Sequence, residues 1–246
     1  MLSHIASAIQ LPHQPVAILW SDELPEGAQT FKDKSWGCTL WLTAAAAKGR
    51  VTACGRDSFG CVGGGTGIGF GDQYPNFPGG TDGFCRFLSS GNAGHPQGEE
   101  IAKGLKAFVD DSFIEEYLHG ERYLKDPQAV RDFIEQLPIR DVPTDFIVYK
   151  PLSLVDPDEE SPVSVVFFCD PDQFSAIGVL ANYCFDGNEN VIFPFSAGCQ
   201  AIGIYSYDEA EKDEPKAVAG MMDLSARLYL RNHFGQNVMS MSLPWS

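Results

Sequence analysis

The sequence predicts an α/β (α+β) fold, a mixed sheet with flanking helices, and three observations carry that expectation. Short β-prone apolar runs alternate with helical stretches towards both ends of the chain. Three consecutive helical stretches fill the middle, and a glycine-rich loop region lies before them. A single domain over 1–246, with a helical subregion at about 97–137, accommodates the pattern. At 246 residues, 44% hydrophobic and with 17 Phe, the chain can bury a sizeable core.

PVAILW at 15–20 reads as the first strand, and residues 38–48 as an Ala- and Leu-rich helix stopped by Gly49. Residues 50–54 are strand-like. Residues 60–71, GCVGGGTGIGFG, contain seven glycines in twelve positions, which predicts a loop held by contacts rather than by propensity. Helices are predicted at 97–109, 112–125 and 127–137, with Ile101, Leu105 and Phe108 at helical spacing and Pro127 in a first turn. Strands follow at 146–152, 163–169, 191–195 and 237–243, and helices at 171–184, 198–206 and 222–234. DPDEESP at 156–162 is a polar loop inside the domain. PVAILWSDE (15–23) faintly echoes VSVVFFCDPD (163–172), a similarity that two buried strands reach by chance.

The charge, 17 − 33 = −16, repels phosphate backbones and anionic membranes, and no basic cluster reverses it locally, so no nucleic-acid partner is expected. Charges or prolines interrupt every apolar run short of a membrane span, and the first twenty residues lack the basic start of a signal peptide. The expected compartment is the cytoplasm, where the seven cysteines stay reduced.

Three of those cysteines share a context. Cys38 and Cys199 each follow a glycine and open a predicted helix, where the helix dipole favours a thiolate, and Cys61 sits inside the glycine segment. A soft metal wants such ligands. Cys85, near a glycine-rich turn, is the candidate fourth ligand; Cys54 reads either way, and Cys169 and Cys184 read as core. No C-x-x-C occurs, so zinc-ribbon, ferredoxin and thioredoxin spacings are absent. The glycine segment fits neither G-x-G-x-x-G nor a Gly-Lys-Ser/Thr phosphate loop. Its uncovered amides, at Gly60, Gly63, Gly64 and Gly65, are expected to approach a cofactor closely and donate to cluster sulfur. Asp223 and Arg227, at i and i+4, read as an ion pair. The five histidines have no ligand spacing, although His95 follows Cys85 by ten residues, and no G-x-S-x-G marks a hydrolase.

WGCTLWLTAAAAKGR (36–50), FGCVGGGTGIGF (59–70), KPLSLVDPD (150–158), VVFFCDPDQFSAIGVLANY (165–183), FPFSAGCQAI (193–202) and AVAGMMDLSARLYL (217–230) resemble, in order, the blocks of domain of unknown function family 169. The resemblance implies a bacterial or archaeal protein of a family common in anaerobes, with recurrent cysteines at Cys38, Cys61 and Cys199 and no established reaction.

The expected centre is therefore an iron–sulfur cluster, four-iron rather than two-iron, on Cys38, Cys61, Cys199 and Cys85. Three thiolates leave an iron open for lyase or sulfur-transfer chemistry, and four favour electron transfer. The expected partner is a small molecule or a redox protein, with a homo-oligomer as a further expectation. A metal-free small-molecule or regulatory domain and a zinc-stabilised structural protein are the alternatives.

Overall fold

The computed structural model describes every residue except 1–2, 33–34, 108, 185, 221–222, 236–237 and 246, together with the side chains of 184, 224–225 and 228–229. Phe108 and the Cys184 side chain, read above as helical and core positions, lie outside the described set. The chain divides into two compact units, Met1–Gly71 with Arg140–Ser246, and Asp72–Ile139.

The first unit opens with α1 (His4–Ala8), β1 (Val16–Ser21), α2 (Thr39–Ala47), β2 (Thr52–Gly55) and α3 (Val62–Gly67). The second holds α4 (Gly80–Phe87), α5 (Pro96–Leu105), α6 (Asp111–His119) and α7 (Pro127–Glu135). The chain then returns to the first with β3 (Phe146–Pro151), β4 (Ser164–Cys169), α8 (Pro171–Cys184), β5 (Val191–Ile192), α9 (Gly198–Ile202), α10 (Ile204–Ala210), β6 (Ala217–Ala219), α11 (Leu224–Phe234) and β7 (Met239–Pro244). The expected mixed α+β sheet is present: seven strands in the order β2-β3-β1-β4-β7-β6-β5, antiparallel except where β5 runs parallel to β6.

Strand alternation sorts the core into two layers. Val16, Ile18, Cys54, Ile147, Tyr149, Val166 and Phe168 face one side, under Leu40 and Leu42 of α2, Ile202 of α9, Tyr207 of α10 and Leu230 of α11. Ala17, Leu19, Ala53, Val148, Val165, Phe167, Cys169 and Met241 face the other, against Ile177 of α8 and Ile5 of α1. Parity thus sends two strand cysteines to opposite faces. The Thr52 hydroxyl donates to Leu42 O at 2.9 Å, tying β2 to α2 on Cys54's side. The echo between 15–23 and 163–172 has no common architecture, because the helix after β1 lies on one face and the helix after β4 on the other.

The second unit is built on aromatic contacts, with Phe77 edge-on to Phe84, tilted against Phe87 and stacked on Tyr117 at ring separations of 5.2–6.0 Å. The helical subregion expected at about 97–137 falls inside this unit. The unit also contains α4, which the glycines at 79, 80 and 83 disguised as a turn. Among the described residues, no helix is long and apolar enough to cross a membrane.

Two predicted elements need correction. Residues 62–67, expected as loop, form α3, because close contacts with neighbouring backbone supply what glycine propensity lacks. The helix predicted at 198–206 breaks at Gly203 (φ −102°, ψ −106°), where a Cβ would stand 2.1 Å from Gly67 O. That contact draws α9 against α3. On α9's sheet side, a Cβ on Gly220 would stand 2.6 Å from the Ala201 Cβ, so small residues set the approach there too.

Two glycines give opposite expectations. A Cβ on Gly178, inside α8, meets nothing within 4 Å, so Gly178→Ala should raise stability by about 0.5–1 kcal/mol. A Cβ on Gly67 would stand 2.8 Å from Cys199 Sγ and 3.0 Å from Gln200 N, so Gly67→Ala should lower it by about 2 kcal/mol or more. Urea unfolding of the two variants checks both signs.

Candidate metal centre

Cys38 is the residue before the first turn of α2, with extended backbone (φ −90°, ψ 124°), and its carbonyl accepts from Trp41 N. Cys61 holds the same place on α3, and its sulfur accepts from Gly64 N at 3.1 Å. Cys199 lies in the first turn of α9 and donates its thiol proton to Gly63 O at 3.5 Å. Three helix starts therefore carry the three cysteines that the sequence singled out. For Cys61 the helix start was not foreseen, because α3 is written almost wholly in glycine.

The glycines explain how the three starts come together. Gly60 has φ +83°, and a Cβ there would stand 2.3 Å from Gly37 O. The residues just before Cys61 and Cys38 are thus in backbone contact. A Cβ on Gly64 would stand 2.8 Å from Thr39 Oγ1 and 3.2 Å from Cys61 Sγ. Of the glycines expected at a cofactor, Gly64 N and the Gly63 carbonyl touch the thiols, whereas a Cβ on Gly65 would stand 2.7 Å from the Phe59 ring and one on Gly60 2.3 Å from Gly37 O. Their amides and carbonyls serve the sulfurs in part, and their missing side chains serve the backbone approach throughout.

The thiols sense one another. Burial pushes the Cys38 thiol far above its ordinary range, with Cys61 the next contributor and Asp223 and Cys54 smaller ones; the Leu40 N–H leans towards the sulfur and opposes the rise without completing a hydrogen bond. The Cys199 thiol rises for the same reasons, burial first and then Cys61, Asp223 and Cys38, against the Gln200 N–H. Cys54, which the sequence left open, is fully buried and pushed up to about 12, chiefly by burial, against the hydroxyls of Tyr149 and Thr39. Cys61 recurs beside all three.

Asp223 completes the electrostatics. It caps α11 through Ala226 N at 2.9 Å, and its other oxygen accepts from Gly198 N at 2.6 Å, fastening the start of α9 to the start of α11. Burial raises its pKa. The expected ion pair with Arg227 is replaced by these two backbone bonds, and among the described residues no salt bridge joins the pair. An Asp just before a helical run is an N-cap signal, which the sequence offered and the i, i+4 reading overlooked.

The other cysteines part company. Cys85 is buried in α4, and the charges it senses are Arg131, Asp82 and Arg86, all of its own unit and none a thiol. Cys169 is buried in the opposite sheet layer, next to the charge of Asp170. His95 is the exposed cap of α5 in the second unit. Among the described residues, no three His, Cys, Asp or Glu side chains stand in ready-made metal-holding geometry. The Cys199 thiol instead donates to the Gly63 carbonyl, a bond it must give up to take a metal as a thiolate, whereas the Gly64 N–H can go on donating to a metal-bound Cys61 sulfur.

The raised thiols predict a pH dependence. Their neutral form belongs to the fold, so their stabilising contribution is whole below the unfolded value of 9.0 and is lost as pH rises towards the folded values, about 12 for Cys54. Metal-free protein should therefore show a falling thermal midpoint above pH 9, steeper than that of Cys54→Ala. At pH 7 its iodoacetamide labelling should be at least about 10-fold slower folded than in urea.

No curated protein and no solved structure matches this chain. The family model described as uncharacterised ArCR matches residues 4–246. With this match spanning essentially the whole sequence, the chain belongs to that family, domain of unknown function 169.

Proposed function

We propose that Cys38, Cys61 and Cys199 hold an iron–sulfur cluster, four-iron in preference to two-iron, and that the protein carries out redox or cluster-based chemistry. One observation supports this most: three thiols at three helix starts, pressed together by backbone contacts that only glycine permits, with Cys61 common to all. The charges that the Cys38 and Cys199 thiols sense are those of other thiols and of Asp223, so on ionisation their surroundings are anionic. Such a site repels phosphates and carboxylates and draws a positively charged centre.

The donor set fits the group. Thiols are the usual ligands of iron–sulfur clusters, and the Gly64 N–H already addresses the Cys61 sulfur. When bound, such a cluster supplies one-electron transfer or, at an open iron, Lewis acidity. The chain's part is to give up the thiol protons, which burial holds on strongly in the metal-free state, and to shield the sulfurs from water. Asp223 keeps Cys199 in place through Gly198 N. Trp36 and Trp41, 49% and 40% exposed on either side of Cys38, offer apolar surface to a small molecule or a redox partner.

Protein isolated without oxygen should be brown, with about four irons and four sulfides per chain. Cys38→Ser, Cys61→Ser and Cys199→Ser should each strip most of the iron, while Cys169→Ser keeps it. One zinc per chain, or no metal after anaerobic reconstitution, would overturn the reading, zinc pointing instead to a structural site.

A further inference from the structure

We infer that the fourth thiol of the centre is Cys54, and that the hydroxyls of Thr39 and Tyr149 are hydrogen-bond donors to its sulfur atoms. This rests on the iron–sulfur reading above and narrows it from an open, lyase-type centre to a closed one that exchanges electrons.

Register places Cys54 opposite Ile147, and Tyr149 opposite Thr52, so Cys54 and Tyr149 are diagonal neighbours on one sheet face. Cys38 and Cys199 pack against the same core layer. Two hydroxyls each neighbour Cys54 and one other sulfur of the group. Thr39 Oγ1 shares with Cys61 Sγ the point where a Gly64 Cβ would stand, at 2.8 and 3.2 Å, and also faces Cys54. The Tyr149 hydroxyl faces both Cys54 and Cys199.

Both residues are buried, 1% and 0% exposed, and neither hydroxyl has a partner at hydrogen-bond geometry; each only approaches the Cys54 thiol. A buried, unsatisfied hydroxyl costs about 1–3 kcal/mol. Val and Phe would fill the same space without that cost. A neutral thiol is a poor acceptor, whereas a thiolate or sulfide is a good one. Two orphaned donors beside the Cys54 sulfur are what sulfur needs once it carries negative charge, and such bonds raise a cluster's potential. Cys85, the sequence's candidate, has no thiol and no orphaned hydroxyl of this kind among its electrostatic neighbours.

The test compares full-length Cys54→Ser, Cys85→Ser, Thr39→Val and Tyr149→Phe with the parent, all isolated without oxygen. Cys54→Ser should lose at least a quarter of the iron or give a three-iron paramagnetic signal on mild oxidation, and Cys85→Ser should match the parent. Thr39→Val and Tyr149→Phe should keep their iron yet shift the midpoint potential to more negative values. In the metal-free protein they should be as stable as the parent or more so, which a merely structural role for the hydroxyls would not give. Cys54→Ser with parental iron and spectrum would overturn the ligand assignment. Should that variant fail to fold, unchanged potentials in both hydroxyl variants would overturn the inference by themselves. A parent that takes up no iron on reconstitution would instead sink the cluster reading on which this one stands.

Discussion

Backbone touching backbone is the constraint on which the cysteine group depends. Gly60 lies on the Gly37 carbonyl, Gly67 on Cys199, and Gly203 on the Gly67 carbonyl, each closer than any side chain would allow. These contacts join the starts of α2, α3 and α9 without intervening side-chain layers. Their cost is written into α3, in which four of six residues are glycine, each worth about 1 kcal/mol against helix formation relative to alanine. Nothing in local propensity makes that helix. Tertiary approach makes it, so its six residues and the cysteines they position form together.

Electrostatically, that approach suits the proposed positively charged centre. Helix starts present uncovered N–H groups, which favour negative charge, and the structure adds thiols and the Asp223 carboxylate to them. With the thiols protonated the arrangement is tolerable, and burial keeps them so. Ionised together they would repel one another, and the Leu40, Gln200 and Gly64 N–H groups would not compensate for more than part of it. A positively charged centre removes the conflict. Asp223 adds to the anionic field and also serves as mortar, since both its oxygens are committed to the backbone of α9 and α11.

Most of the fold was legible because it rests on pattern. The strands at 146–151 and 164–169, the helix at 171–184 and the three mid-chain helices follow from hydrophobic period, proline position and capping residues, all local properties. The failures are where glycine overrides pattern: α3 read as loop, α4 hidden among turn signals, and the break at Gly203 passed over. The grouping of the cysteines divided in the same way. That Cys38, Cys61 and Cys199 come together was legible because each follows or borders glycine near a helix start, a local mark. Cys54, their neighbour, carries no such mark, and the glycines near Cys85 belong to the turns that open α4. Asp223 had a visible role as an N-cap but acts on Gly198, 25 residues away in sequence, and that reach is tertiary.

Cys54 and Cys169 show how strand parity gives two equally buried cysteines different surroundings. Both are fully buried on strands of one sheet, and both have thiols pushed up to about 12 by burial. Their neutral packing value is the same. What differs is the company that strand parity gives them. Cys169 looks into a layer of Phe167, Ile177 and Met241, which ask nothing of a sulfur. Cys54 looks towards two buried hydroxyls without partners and, beyond them, towards Cys61 and Cys38. Packing alone does not call for the Thr39 and Tyr149 hydroxyls beside a thiol, because apolar isosteres would fill the space at lower free energy. The unsatisfied donors are therefore better understood as half of an interaction whose other half is a charged sulfur.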